Sequence, residues 1–143
     1  MELNLAYMAR TFLLALTGVP TTLAITLVAL AFGLPLGFFM ALAKLYNVRI
    51  FRRLVAFYVS FIRGTPIVLQ ILIVYSLLPS LLNVVVKKSG LSINVFGMNP
   101  IWYAFIVFTI NATAELSELC RSALLTVDRG QLEAALAIGL TRA

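Results

Sequence analysis

TFLLALTGVPTTLAITLVALAFGLPLGFFMALA, residues 11–43, runs for 33 positions without a charged side chain. About 20 predominantly apolar residues of helix cross the hydrocarbon core of a bilayer, so this stretch is long enough to span. Residues 64–86 (23 positions) and 89–114 (26 positions) are uncharged as well and pass the same test. All three runs are continuous and do not alternate apolar with polar. That selects helices over a barrel, because backbone in lipid must be satisfied within its own segment or in a closed sheet. The expected fold class is all-α and integral to a membrane, with three transmembrane helices. The first run is too long for a signal peptide, and Glu2 precedes it where a basic region belongs.

Composition points the same way. The chain has 143 residues, 62% of them hydrophobic and 11% charged, against about a quarter charged in a soluble domain. A net charge of +6 would suit nucleic acid, but its distribution does not. Four of the eleven basic residues (Lys44, Arg49, Arg52 and Arg53) sit in one short connection without an acid among them. This is the positive-inside pattern. It puts that connection in the cytoplasm, the N-terminus outside, and residues 83–99 outside with only Lys87 and Lys88. A third crossing then returns the chain near Arg121, leaving the tail from Thr126, with Arg129 and Arg142, in the cytoplasm.

Several chemistries lack their residues. A single cysteine, Cys120, permits no internal disulfide and reads as a small apolar residue near a helix end. With no histidine there is no histidine triad, zinc site or haem ligand, and no metal site is expected. The Gly-x4-Gly-Lys-Ser/Thr phosphate loop is also missing. No cofactor is expected in this chain, and any ATP it uses is bound by another.

Local signals set the helix bounds. Residues 1–10 read as an amphipathic lead-in. The first crossing is expected over 20–43, with Thr21, Thr22 and Thr26 bonding back to their own helix. Gly33-x3-Gly37 lets a neighbouring helix approach closely, and Pro35 should bend the helix. A second helix is expected over 54–82. Arg52 and Arg53 interrupt its lead-in, and Thr65-Pro66 offers an N-cap and a first helical position, hence a helix start or a sharp kink. Tyr75 and Pro79 lie toward its far end.

Asn99-Pro100 opens a third helix over 100–125, followed by the interfacial aromatics Trp102 and Tyr103. At 1.5 Å per residue, Glu115 lies about 22 Å and Arg121 about 31 Å beyond Pro100. Asn111, Glu115, Glu118 and Ser122 fall within about 60° on one face, and such a stripe must meet protein or water. It is either the wall of a solute path or a set of interhelical bonds. Glu118 is expected to pair with Arg121 at i,i+3, while Glu115 fits either reading. Beyond this helix Gly130 is expected to break the chain. Residues 131–138 form a short helix of strong helix formers, and Gly139 suits its C′ position. That helix must bury its apolar face on a partner or on a further part of its own chain.

The tail motif Gly130-Gln131-x-Glu133-Ala134-Ala135-x3-Gly139 resembles the EAA loop of ABC importer permeases. Glu118-x-x-Arg121 ahead of Val127-x-x-Gly130-Gln131 is similar to the polar amino acid uptake branch, and so is Phe61-x-Arg63-Gly64-Thr65-Pro66, here with Ile62 inserted. Thr21-Thr22-Leu23 fits as well, so the resemblance covers nearly the whole chain in order. One departure is Ala114-Glu115, where the branch usually has Ala-Tyr.

The resemblance implies that residues 1–143 are a permease domain of the ABC type I importer fold, C-terminally incomplete, in the cytoplasmic (inner) membrane. It implies a transport subunit and no enzyme. The partners are a second permease subunit, identical or related, an extracellular or periplasmic substrate-binding protein, and a cytoplasmic ATPase that binds ATP and Mg. By this resemblance Gly130, Gln131, Glu133, Ala134, Ala135 and Gly139 dock the ATPase. Asn111, Glu115 and Glu118 are candidates for the substrate path, and Arg63, Gly64, Thr65, Pro66 and Arg121 form a structural motif. The alternative is an ATP-independent ion channel or secondary transporter, which broken helices and a buried acid would suit but in which the Glu-Ala-Ala tail has no task. A membrane-bound enzyme is weaker still, with no nucleophile or metal set beside the two deep acids.

Overall fold

A computed structural model describes residues 5–90, 94–126 and 129–139, the side chains at 129, 131, 132 and 135 excepted. Every regular element among them is helical. In chain order these are α1 (Leu5–Leu16), α2 (Val19–Leu45), α3 (Arg49–Gly64), α4 (Ile67–Lys88), a 3-10 turn (Val95–Gly97), α5 (Ile101–Leu125) and α6 (Arg129–Ala137). α1 buries no residue, and it joins α2 through a turn in which Thr17 Oγ1 donates to Leu14 O (2.6 Å). Thr22 and Thr26 donate back to Gly18 O and Thr22 O, and α2 runs on uninterrupted past Pro35.

The main packing is α2 against α5. Ala29, Gly33, Gly37 and Ala41 are the buried residues of α2, one every fourth position. Small residues let backbones approach, which is how helices gain contact where lipid removes the hydrophobic incentive. A Cβ on Gly33 would sit 3.1 Å from Ala112 Cβ, and one on Gly37 would sit 2.9 Å from Ser117 N. On the α5 side Thr113 and Ser117 are buried, and their hydroxyls donate within their own helix, to Thr109 O (2.7 Å) and Ala114 O (2.8 Å). Register gives direction: Gly33 faces Ala112, Gly37 faces Ser117, and Lys44 faces Glu118. Residue numbers rise together, so α2 and α5 run parallel, and α3 with α4 carries the chain back over the same height.

The stretch expected as one helix over 54–82 is two helices. α3 packs Val55, Val59 and Ile62 around Ala114, and Tyr58 OH donates to Ile110 O (2.7 Å). The break falls at Thr65-Pro66, but the caps differ from expectation. Thr65 ends α3 in extended conformation (φ −114°, ψ 138°), its hydroxyl donating to Phe61 O (3.0 Å), and Pro66 is the cap residue preceding α4. Proline disfavours a helical residue before it, so the helix stops there and restarts. α4 runs antiparallel to α5: Gln70 meets Asn111, and Tyr75 OH donates to Pro100 O (2.8 Å). It continues to Lys88, beyond the expected end at 82, with Lys87 and Lys88 in a last turn that favours cations.

Asn99 Oδ1 accepts from Ile101 N (3.0 Å) and so caps the start of α5. Gly130, expected to break the chain, lies in the first turn of α6. Leu5–Leu45 and Ile67–Lys88 are long and apolar enough to cross a membrane by length and composition. α5 has 25 residues but is not among these, since Asn111, Glu115, Glu118 and Arg121 lower its hydropathy.

Candidate functional site

The polar face of α5 meets a different helix at each level. Asn111 Nδ2 approaches Gln70 Oε1 on α4 (3.4 Å), and Glu115 lies 3.2 Å from Arg63 Nε on α3. Glu118 takes Lys44 from the end of α2 on one oxygen and Arg121 Nε (2.8 Å) on the other. Ser122 Oγ turns back to Leu119 O (3.0 Å). Interhelical bonds therefore account for Asn111, Glu115 and Glu118, and the expected Glu118–Arg121 pair forms.

The two acids differ in setting. The side chains of Lys44 and Glu118 are 14% and 20% exposed, whereas those of Arg63 and Glu115 are 46% and 53% exposed. Glu118 is thus a tie between α2 and α5 in a low-dielectric position. Glu115 and Arg63 form an open pair whose polar atoms remain available. A cavity of about 310 Å³ lies beside them, lined by Arg63, Glu115, Glu118, Leu119, Arg121 and Ser122. It presents cations and carboxylates side by side, a surface suited to a dipolar or zwitterionic solute.

The elbow at Arg63-Gly64-Thr65-Pro66 is held by a side chain that sequence reasoning did not single out. Gln70, only 9% exposed, donates from Nε2 to Ile62 O (2.8 Å), Thr65 Oγ1 (2.9 Å) and Thr65 O (3.1 Å). It satisfies carbonyls left open where α3 ends, and through Asn111 it ties the elbow to α5. A buried amide needs such partners. Lys44 was missed too, although a signal existed: it is the first charge after 33 uncharged residues, and it comes to the level of Glu118 once α2 and α5 run parallel.

In the tail, Gly130, Glu133 and Ala134 are exposed on α6, and Gly139 is exposed just beyond its end. The side chains of Gln131 and Ala135 lie outside the described set. Gly139 adopts φ +88° and its N–H donates to Leu136 O (3.1 Å), the left-handed C′ geometry that favours glycine. Ile138 is 80% exposed, and α6 has at most marginal contact with the other described helices.

Residues 33–143 match the family of binding-protein-dependent transport system inner membrane components. The chain belongs to that family. The chain is therefore a membrane protein, and the all-helical architecture of its described residues is that of the family. It is 38% identical to an L-cystine transport system permease protein of Bacillus subtilis over 85% of this chain and 48% of the relative. An arginine transport system permease protein of the same organism is also 38% identical, over 87% of this chain and 52% of the relative. A putative glutamine transport system permease protein of Rickettsia prowazekii is 33% identical over 91% and 54%. The chain also resembles a solved amino acid ABC transporter with histidines, at TM-score 0.70 and 27% identity over 99% of this chain and 60% of that one. The chain thus spans about half the length of the curated relatives it matches.

Proposed function

We propose that this chain is the transmembrane permease subunit of an ATP-driven amino acid importer, supplying part of the translocation path and coupling to a cytoplasmic ATPase through α6. One observation carries the coupling role. A short helix bearing Glu133 and Ala134 has at most marginal contact with the other described helices and is followed by a left-handed glycine, a shape that fits a partner's groove. Glu133 offers a charge-assisted bond to that partner, and the alanines allow close approach. Relatives named for cystine, arginine and glutamine transport support the substrate class.

In this reading the chain crosses the membrane three times, by α2, by α3 with α4, and by α5, with the α2–α3 corner and α6 in the cytoplasm. It pairs with a second permease subunit, takes its solute from a binding protein, and hydrolyses no ATP itself. ATP favours one state of the ATPase pair, and the docked helix passes that preference to the pore as a population shift. Glu115 and Arg63 line the path, where a zwitterion can exchange its ammonium and carboxylate for the pair's own contacts. The ATP-independent alternative drew on broken helices and a buried acid, and Glu115 is about half exposed and faces Arg63.

The full-length permease purified in mild detergent tests this. An ATPase that co-purifies with it, and is lost on Glu133→Ala with Gly139→Asp, is the expected result. No ATPase with either protein, in a folded preparation, would overturn the reading and favour the ATP-independent one.

A further inference from the structure

Among the described residues, the corner between α2 and α3 holds more positive charge than nearby acids neutralise. Lys44, Arg52, Glu118 and Arg121 line a cavity of about 480 Å³ there. A second cavity, about 430 Å³, shares Asn47, Arg52 and Ala56 with it and is closed by Arg49 and Arg53. Among the described residues Glu118 is the one carboxylate lining either cavity, and it is already engaged by Lys44 and Arg121. Arg52 Nη1 donates to the neutral Asn47 Oδ1 (2.5 Å), and among the described residues no ion pair involves Arg49, Arg52 or Arg53. Asn47, at φ +57°, makes the tight turn that brings the end of α2 beside the arginines.

α3 has three faces. At 100° per residue, Val55, Val59 and Ile62 form the face buried against α5. Ile50, Leu54, Phe57 and Phe61 form a second, and all four are more than half exposed. Arg49, Arg52 and Arg53 occupy the third, adjoining the exposed apolar stripe. Unneutralised arginines beside a bare apolar track match a ligand that is anionic at one end and hydrocarbon at the other. Guanidinium forks suit phosphate oxygens, two bonds at a time. Phe57 and Leu54 offer the contact an acyl chain needs.

We propose that the α2–α3 corner binds an anionic phospholipid, with the phosphate held by Arg49, Arg52 and Arg53 and the acyl chain along Ile50, Leu54 and Phe57. The site depends on the membrane location of the chain and not on what it transports.

Native mass spectrometry of the delipidated full-length permease, titrated with phosphatidylglycerol and with phosphatidylcholine of the same acyl chains, tests it. Phosphatidylglycerol is expected to bind more tightly by about fivefold per arginine engaged. Arg49→Gln, Arg52→Gln, Arg53→Gln together should abolish the preference, and Lys87→Gln with Lys88→Gln should leave it intact. Equal retention of the two lipids, or a preference that survives the triple change, would overturn the site. Displacement by inorganic phosphate at equal concentration would also overturn it, by showing that the hydrocarbon adds nothing. Should the triple variant not be monodisperse, Arg49→Gln and Arg53→Gln are read singly. Both side chains are exposed and each substitution should lower the preference; no change in either would count against the proposal.

Discussion

Gly37 and Gly64 are both helical glycines, yet a methyl group meets different surroundings at each. At Gly37 it would lie 2.9 Å from Ser117 N and 3.0 Å from Thr113 O, which are backbone atoms with no rotamer to change; at Gly64 nothing lies within 4 Å. Gly37→Ala should therefore push α2 off α5 and lower stability by about 1–3 kcal/mol. Gly64→Ala should be neutral or stabilising by up to about 1 kcal/mol. Thermal unfolding of the purified protein in detergent reads both, and equal effects would contradict the close approach. The same contrast holds for charge. Glu118→Gln leaves Lys44 and Arg121 without their acid in a mostly buried position and should cost on the order of 3 kcal/mol. Part of that loss should return on adding Lys44→Met. Glu115→Gln breaks an exposed pair and should change stability by less than about 1 kcal/mol. On the proposed path its effect is expected in uptake: unchanged substrate affinity and preference in Glu115→Gln would remove this residue from the path.

At the scale of the element, the α3–α4 elbow shows what a sequence can and cannot display. The break at Thr65-Pro66 was legible because proline constrains both itself and its predecessor. What holds the break was not, because Gln70 sits in an uncharged run and carries no motif. Its partners Ile62, Thr65 and Asn111 become neighbours only once α3, α4 and α5 are placed. Likewise the Gly33 and Gly37 spacing announced a close helix without naming α5, and the polar stripe of α5 announced partners without naming Arg63 or Lys44. Periodicity reports faces, and tertiary pairing decides what each face meets. Gln70→Leu keeps the volume but leaves the Ile62 and Thr65 carbonyls unsatisfied, at about 1–3 kcal/mol. Hydrogen exchange should rise across residues 62–70 while the α2–α5 interface stays protected. Uniform exchange across both regions would mean that Gln70 supports the whole bundle and not the elbow.

For the whole molecule, direction is the testable property. If the chain crosses three times as proposed, parallel α2 and α5 put the starts of both helices on one side of the bilayer and their ends on the other. In a Cys120→Ser background, Gly18→Cys and Asn99→Cys should react with a membrane-impermeant thiol reagent from the same side, and Asn47→Cys and Thr126→Cys from the opposite side. Labelling of Gly18→Cys and Asn99→Cys from opposite sides would break the three-crossing arrangement.

The glycine face of α2 also has a history in time. Gly33 and its counterpart Ala112 are separated by about 80 residues, and ribosomes add roughly 5–20 residues per second. For on the order of ten seconds after α2 enters the membrane, its partner has not been made. During that interval a helix with a bare small-residue stripe can pair with any other small-residue helix nearby. Nascent copies on one message, each with the same uncovered stripe, are the nearest competitors. The protein's yield should therefore depend on how closely ribosomes follow one another, and slowing initiation should favour the correctly paired form.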